Sequence, residues 1–183
     1  YALAAMEMKE YAVADNELKK ALILAGNNDE LKIQVLSLEG DLKYRMKDYD
    51  ASYASYEEAL KLSPDDPLLL NNYAYFLAEG DRDLKKALKM AMKVMETGSD
   101  NPTYIDTYAW VLYKMGKYRD AHREMLRIFE LSSERDPELL EHMGFVKKAL
   151  GKCEEAVIYW MEALEKDNTK IYLEEEIKKC MKQ

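Results

Sequence analysis

Four side chains in this sequence could bind a metal or serve as nucleophile and base: His122, His142, Cys153 and Cys180. No two of them have zinc-ligand spacing, so no metal site is expected. Nucleophilic catalysis needs a base touching a nucleophile and an orienting acid. The histidines lie in different helical segments, and His122, beside the small residue Ala121, reads as a surface residue or inter-helix filler. An enzymatic reading would require polar groups to converge on His142. The cysteines show no CxxC spacing, read as two buried free thiols, and leave the redox compartment open. Carboxylate runs at Glu57-Glu58, Glu154-Glu155 and Glu174-Glu175-Glu176 are adjacent on helices, where neighbours diverge, and read as solvated faces. No glycine-rich phosphate loop is present. The expectation is a non-enzyme without a cofactor.

The chain has 183 residues, a formal charge of -8 and a pI near 5.0. Lacking a clustered basic face, it is not expected to bind nucleic acid. No apolar run approaches the roughly 18 residues that span a bilayer, and no charged segment precedes an apolar one at the start. Membrane insertion is therefore not expected. The text opens at Tyr1 with Ala2, Leu3, Ala4 and Ala5 already helical in character, which reads as an excerpt or a processed chain. Any signal or lipid anchor would lie upstream, so cytoplasm and periplasm both stay open.

The elements that must carry these side chains are set by a repeat. From Pro102 to Asp136 two apolar-periodic segments, Tyr104 to Met115 and Tyr118 to Leu131, flank Gly116-Lys117; they predict two antiparallel helices joined by a tight turn. Pro67, Pro102 and Pro137 recur every 35 residues. A small residue recurs at Gly40, Ala74, Ala109 and Gly144, and a second small column at Ser52, Ala87, Ala121 and Ala156. Four residues beyond the second column come Tyr56, Ala91, Met125 and Trp160, and three further come Ala59, Val94, Ile128 and Ala163. Small residues let helix backbones approach, while large ones fill the gap toward the next unit. Residues 1–29 repeat the pattern weakly, and Gly26 predicts a second helix about one turn short there. The last segment, 168–183, predicts one capping helix from an Asn/Thr start. Its buried stripe is Leu173, Ile177, Cys180 and Met181, and its wet face is Lys170, Glu174, Glu175, Lys178 and Lys179.

These columns resemble the tetratricopeptide repeat, most fully at Gly40, Tyr49, Tyr56, Ala59 and Pro64, at Tyr108, Ala109, Gly116, Tyr118 and Ala121, and at Gly144, Gly151, Ala156, Trp160 and Ala163. Residues 30–167 match well. Glu39 departs from the pattern, standing where a large apolar residue is usual, and Gly80-Asp81-Arg82-Asp83 carries one extra turn residue. The wording around Asn71 to Glu79 and Thr107 to Tyr113 looks like bacterial members, many exported or lipid-anchored at the cell envelope. The resemblance implies an all-α, right-handed α-solenoid of about five helical hairpins with a C-terminal capping helix. The ranges are 1–29, 30–66, 67–101, 102–136, 137–167 and 168–183.

In tetratricopeptide solenoids the first helices line a concave groove. Ile105, Tyr108, Ala109 and Leu112 then face the core, while Thr103, Asp106, Trp110 and Tyr113 form the groove wall. The resemblance thus implies a peptide-binding groove made by Tyr44, Asn71, Asn72, Tyr75, Asp106, Trp110, Tyr113, Glu141 and Phe145. Tyr75, Trp110 and Phe145 form an aromatic column that either anchors a ligand or stiffens the stack. Asn71 and Asn72 are poor choices inside a helix and read as ligand or water contacts, the alternative being that one of them satisfies a neighbouring backbone. Family members that hold acidic chaperone tails use a Lys, Asn, Asn, Lys, Arg clamp. The matching places here are Ser37, Asp41, Asn72, Thr103 and Thr107, or Asn71, Tyr75, Thr107, Glu138 and His142, and the cations are missing. With Asp106, Glu138 and Glu141 on the wall, the expected partner is a neutral or basic protein segment. The alternative is a C-terminal assembly or regulatory module of a larger, cell-envelope protein that engages its own chain or a sister subunit by self-association.

Overall fold

The computed structural model describes residues 1–97, 100–133 and 135–182. Positions 98, 99, 134 and 183, which fall within the expected repeat ranges and capping helix, lie outside the described residues. Among the described residues there are eleven α-helices and no strand. They form two compact units, Tyr1–Arg82 and Asp83–Gln183.

Unit 1 holds α1 (Ala2–Glu7), α2 (Tyr11–Ala25), α3 (Asp29–Arg45), α4 (Tyr49–Leu62) and α5 (Pro67–Glu79), each packed on the next. Unit 2 holds α6 (Leu84–Glu96), α7 (Pro102–Lys114), α8 (Tyr118–Leu131), α9 (Pro137–Ala149), α10 (Cys153–Lys166) and α11 (Leu173–Met181), again packed in series, with α7 also touching α9. The expected shortening of the second helix in residues 1–29 is corrected: α2 has 15 residues and α1 only 6. Lys9 takes a left-handed φ of 60° and ends α1 early, which lets α2 begin at Tyr11.

The tight turns share one hydrogen-bond pattern. Lys117 N donates to Leu112 O, and Glu10, Asp48, Arg82 and Lys152 N likewise reach back five residues, to Ala5, Lys43, Leu77 and Lys147 O. The residue before each of these donors is left-handed, as the motif requires: Lys9, Lys47, Asp81, Gly116 and Gly151. The three helices that begin at a proline are capped by side chains. Asp66, Asn101 and Asp136 accept from amides of α5, α7 and α9 ahead of Pro67, Pro102 and Pro137, whose missing N–H costs nothing at a first helical position.

The small columns sit where helices cross. A Cβ on Gly40 would lie 2.5 Å from the Tyr56 ring, and one on Gly144 would overlap the Trp160 indole. Each glycine is therefore matched by a large ring in its own hairpin, so those rings fill the space above the glycine as well as the gap to the next helix. Where the small residue is Ala109, the facing residue is Met125, in a core with Leu112, Ala121, Met143 and Val146. Glu39, the departure from pattern, accepts a 3.1 Å hydrogen bond from the Ser55 hydroxyl.

The terminal segment differs from expectation at three points. α11 starts only at Leu173, because Asp167 captures Thr169 through N (3.0 Å) and Oγ1 (2.7 Å) and holds a turn. Leu173 and Cys180 are buried, but Met181, one residue past Cys180, is turned outward at 72% exposure. Lys170, expected on the wet face, folds in and donates to Glu141 Oε2 at 2.6 Å. The two free thiols are likewise corrected: Cys153 and Cys180 form a disulfide, their Cα atoms 5.2 Å apart because α11 folds back over the start of α10.

Candidate functional site

The wall residues fall in both units. In unit 2, Asp106 on α7 faces His142 on α9, with its carboxylate oxygens 2.9 and 3.1 Å from Nδ1. The imidazole is 2% exposed and stacks on Trp110 at 3.9 Å between centroids. Burial alone would lower the His142 pKa; the Asp106 carboxylate, aided by Glu138 and Glu141, outweighs it and pushes it up to about 9. The ring is thus a protonated tie between two first helices. It is closed to any substrate.

Trp110 itself is 5% exposed and also stacks on Tyr113 at 4.7 Å, while Phe145 lies 6.1 Å from it and meets Trp160 edge-on at 5.2 Å. Trp110 and Phe145 therefore serve the internal aromatic packing of α7, α9 and α10, with Phe145 half-buried and Tyr113 partly open. Glu141, one repeat beyond Asp106, is occupied by Lys170, whose pKa is raised by that carboxylate against the opposing effect of burial.

Beside Asp106 an open pocket of about 400 Å³ separates the starts of α7 and α9. Its floor is Ile128 and Leu139, both buried, and its rim is Thr103, Asp106, Ser132, Asp136 and Glu138. Three carboxylates thus face one apolar floor.

Unit 1 has a wall of the same make. Tyr56 of α4 donates its hydroxyl to Asp41 of α3, with Ser37 and Asn72 close to the same oxygen. Burial raises the Asp41 pKa even though that hydrogen bond opposes it. Asn71 is buried and gives its Nδ2 to Asn72 Oδ1 at 3.3 Å, so the pair that reads as ligand contacts is partly spent on itself and on Tyr56. Tyr44 packs on Phe76 (4.5 Å) and Tyr49 (5.0 Å), and half-buried Tyr75 meets Phe76 edge-on at 5.4 Å. A pocket of about 580 Å³ opens between α3 and α5, lined by Ile33, Gln34, Ser37, Leu38, Asp66, Leu68 and Leu69 among others. Gln34 and Ser37 stand where Thr103 and Asp106 stand in unit 2, and Leu68 replaces Glu138.

Among residues not singled out as wall positions, the structure adds Ile128, Asp136 and Leu139, and it makes His142 a central one. The cap position of Asp136 before Pro137 is a readable signal for its place at the rim. That His142 pairs with a residue 36 positions earlier has no local signature.

The hairpins α3–α4, α7–α8 and α9–α10, in which a small residue on the first helix meets a larger one on the second and the first helix presents a wall, define a helical-repeat protein. No family model matches the chain. A curated relative, the TPR repeat-containing protein PA4667 of Pseudomonas aeruginosa, is 26% identical over 134 residues, with 64% of this chain and 22% of the relative covered. The chain spans less than a quarter of that relative's length. The solved structure of TTC0263, a thermophilic TPR protein of Thermus thermophilus, matches with TM-score 0.76 at 14% identity over 100% of this chain and 96% of that one. The type IV pilus biogenesis factor PilW matches with TM-score 0.75 at 18% identity over 90% and 74%. A tetratricopeptide repeat protein of Parabacteroides merdae matches with TM-score 0.69 at 16% identity over 98% and 69%. The chain has the tetratricopeptide-repeat fold of these bacterial proteins. Among the described residues no helix is long and apolar enough to cross a membrane.

Proposed function

We propose that the chain binds an extended or helical segment of a partner protein on its first-helix walls and that the segment is neutral or basic. The observation that carries this reading is the unit 2 pocket, where Asp106, Asp136 and Glu138 rim the apolar floor of Ile128 and Leu139. A lysine or arginine places its aliphatic stem on such a floor and its charge at such a rim. An acidic tail would meet like charge there. The wall aromatics act mainly by holding adjacent first helices, and ligand contact falls to the pockets and the half-exposed Tyr75 and Tyr113.

The test is fluorescence anisotropy with a labelled amphipathic lysine-rich peptide and its glutamate counterpart, against the chain and its Glu138→Lys variant. Preference for the basic peptide, weakened roughly tenfold by the variant, is expected. Preference for the acidic peptide overturns the reading.

A second reading is an assembly module within a longer protein. It is favoured by the 22% coverage of the Pseudomonas relative, and PilW offers a precedent in a protein described as a pilus biogenesis factor. Light-scattering masses of this chain and of its full reading frame separate the readings. A stable self-assembly present in both supports the second.

A further inference from the structure

We propose that Cys153 and Cys180 are an oxidation site that locks the terminal helix onto its hairpin, and that the chain works in an oxidising compartment. This stands independently of what the walls bind. α11 has nine residues, fewer than an isolated helix needs to persist in water. Its place depends on what holds it to α9 and α10. Leu173 is fully buried in a cluster with Leu140, Ala156, Trp160 and Ala163, and Ile177 is packed beside it. The polar ties are part-buried ion pairs: Lys148 with Glu176 across to α9, and Lys170 with Glu141 just ahead of the helix. They reach the turn before α11 and its first half, and neither holds its last turn.

The remaining tie is covalent. Cys153 is the first residue of α10 and Cys180 lies in the last turn of α11, so one bond ties the far end of the docked helix to the start of α10. Their Cα separation of 5.2 Å is the ordinary bridging distance, and Cys180 is 7% exposed, so the pair is positioned by packing that also shields it. The bond closes a loop over 27 positions that contains α10 and the turn at Asp167, so the helix cannot leave without dragging the hairpin.

The chemistry is thiol–disulfide exchange with a disulfide-bearing oxidant, either oxidised glutathione or an oxidoreductase. One thiolate attacks the oxidant's disulfide and expels a thiolate; the second attacks the resulting mixed disulfide and expels the other. Two cysteine thiols lose two protons and two electrons to the oxidant, which leaves as two thiols. Such a bond persists in exported compartments and is lost to the reducing cytosolic thiol pool.

The experiment compares the full chain refolded with oxidised glutathione, the same chain reduced, and the Cys180→Ser variant. Thiols are alkylated in denaturant and counted by intact mass, and amide exchange of residues 173–181 is followed natively. Expected are no alkylated thiols in the oxidised chain and two in the reduced one. Exchange in α11 becomes roughly a hundredfold faster on reduction, with α7 unchanged, and Cys180→Ser behaves as the reduced chain under either condition. Two alkylated thiols after oxidation, or α11 exchange that ignores both reduction and the variant, overturns the lock. Trapping thiols at lysis of the source cells tests the compartment: recovery of the bonded form supports it, and recovery of two free thiols overturns it.

Discussion

The two units build the same wall and finish it differently. Between α3 and α5 the pocket sets Ile33, Leu38, Leu68 and Leu69 beside two carboxylates, Glu30 and Asp66; between α7 and α9 only Ile128 and Leu139 are matched with three, Asp106, Asp136 and Glu138. The polar tie behind each pocket also differs, being a neutral donor on a half-buried acid in unit 1 (Tyr56 on Asp41) and a charged pair in unit 2 (His142 with Asp106). Even the left-handed turn position is unlike. Unit 1 places Lys9, Lys47 and Asp81 there, and the two tight turns of unit 2 place Gly116 and Gly151. The repeat frame therefore tolerates different chemistry at one position, because each unit needs only the backbone approach and a satisfied crossing.

The contrast is sharpest at His142. His142→Ala leaves Asp106 without its partner between packed helices, and a loss of about 3–5 kcal/mol is expected for unit 2. Both tryptophans, Trp110 and Trp160, lie in that unit, so their fluorescence in a denaturant titration reads it selectively. A loss below about 1 kcal/mol would falsify the tie.

Next come the crossings, where the units should respond alike. Gly40→Ala and Gly144→Ala each push a Cβ into a ring, of Tyr56 or Trp160, and each should cost about 1–3 kcal/mol. A neutral result at either glycine means that its ring can move aside.

Titration should separate the units by window. His142 has a raised pKa, so its contribution is complete below its ordinary value of 6.5 and disappears as pH rises through about 9. Asp41 is a raised acid, so unit 1 loses stability when pH rises from the ordinary carboxylate value of 3.8 through its elevated folded value, and loses no more beyond. Exchange-detected stability against pH should show the unit 1 decline first and the unit 2 decline in the alkaline range. A unit 2 that is equally stable at pH 7 and pH 10 contradicts the protonated tie.

Smaller effects test the turns and the small column. Lys47→Gly relieves a left-handed non-glycine residue and should stabilise unit 1 by about 1 kcal/mol, while Gly116→Ala should cost unit 2 a similar amount. Ser52 is fully buried with an unpartnered hydroxyl, where unit 2 has Ala87, Ala121 and Ala156. Ser52→Ala should be neutral or gain up to about 1 kcal/mol in thermal melts; a clear loss means that the hydroxyl has a partner.

Much of the fold is legible in the chain because it is local. The turn at Gly116, the caps before Pro67, Pro102 and Pro137, and the small columns at Gly40 and Gly144 all arise from contacts within one repeat length. The walls were legible as positions only. Trp110 reads equally as an anchor or as packing, since periodicity gives the face of a helix and leaves open what stands opposite it. Its stacking on Tyr113 lies within α7, whereas its stacking on His142 appears only when α9 is laid beside α7.

By itself, then, the sequence determined an all-helical repeat chain, its hairpin turns and the small-to-large crossings, through the periodicity of side chains along single helices and the φ preferences of a few residues. Tertiary structure alone decided which wall groups are already occupied, Asp106 by His142 and Glu141 by Lys170, and that Cys153 pairs with Cys180. Those pairings depend on the distance and angle at which separate helices meet. Spacing along one helix carries no record of that geometry.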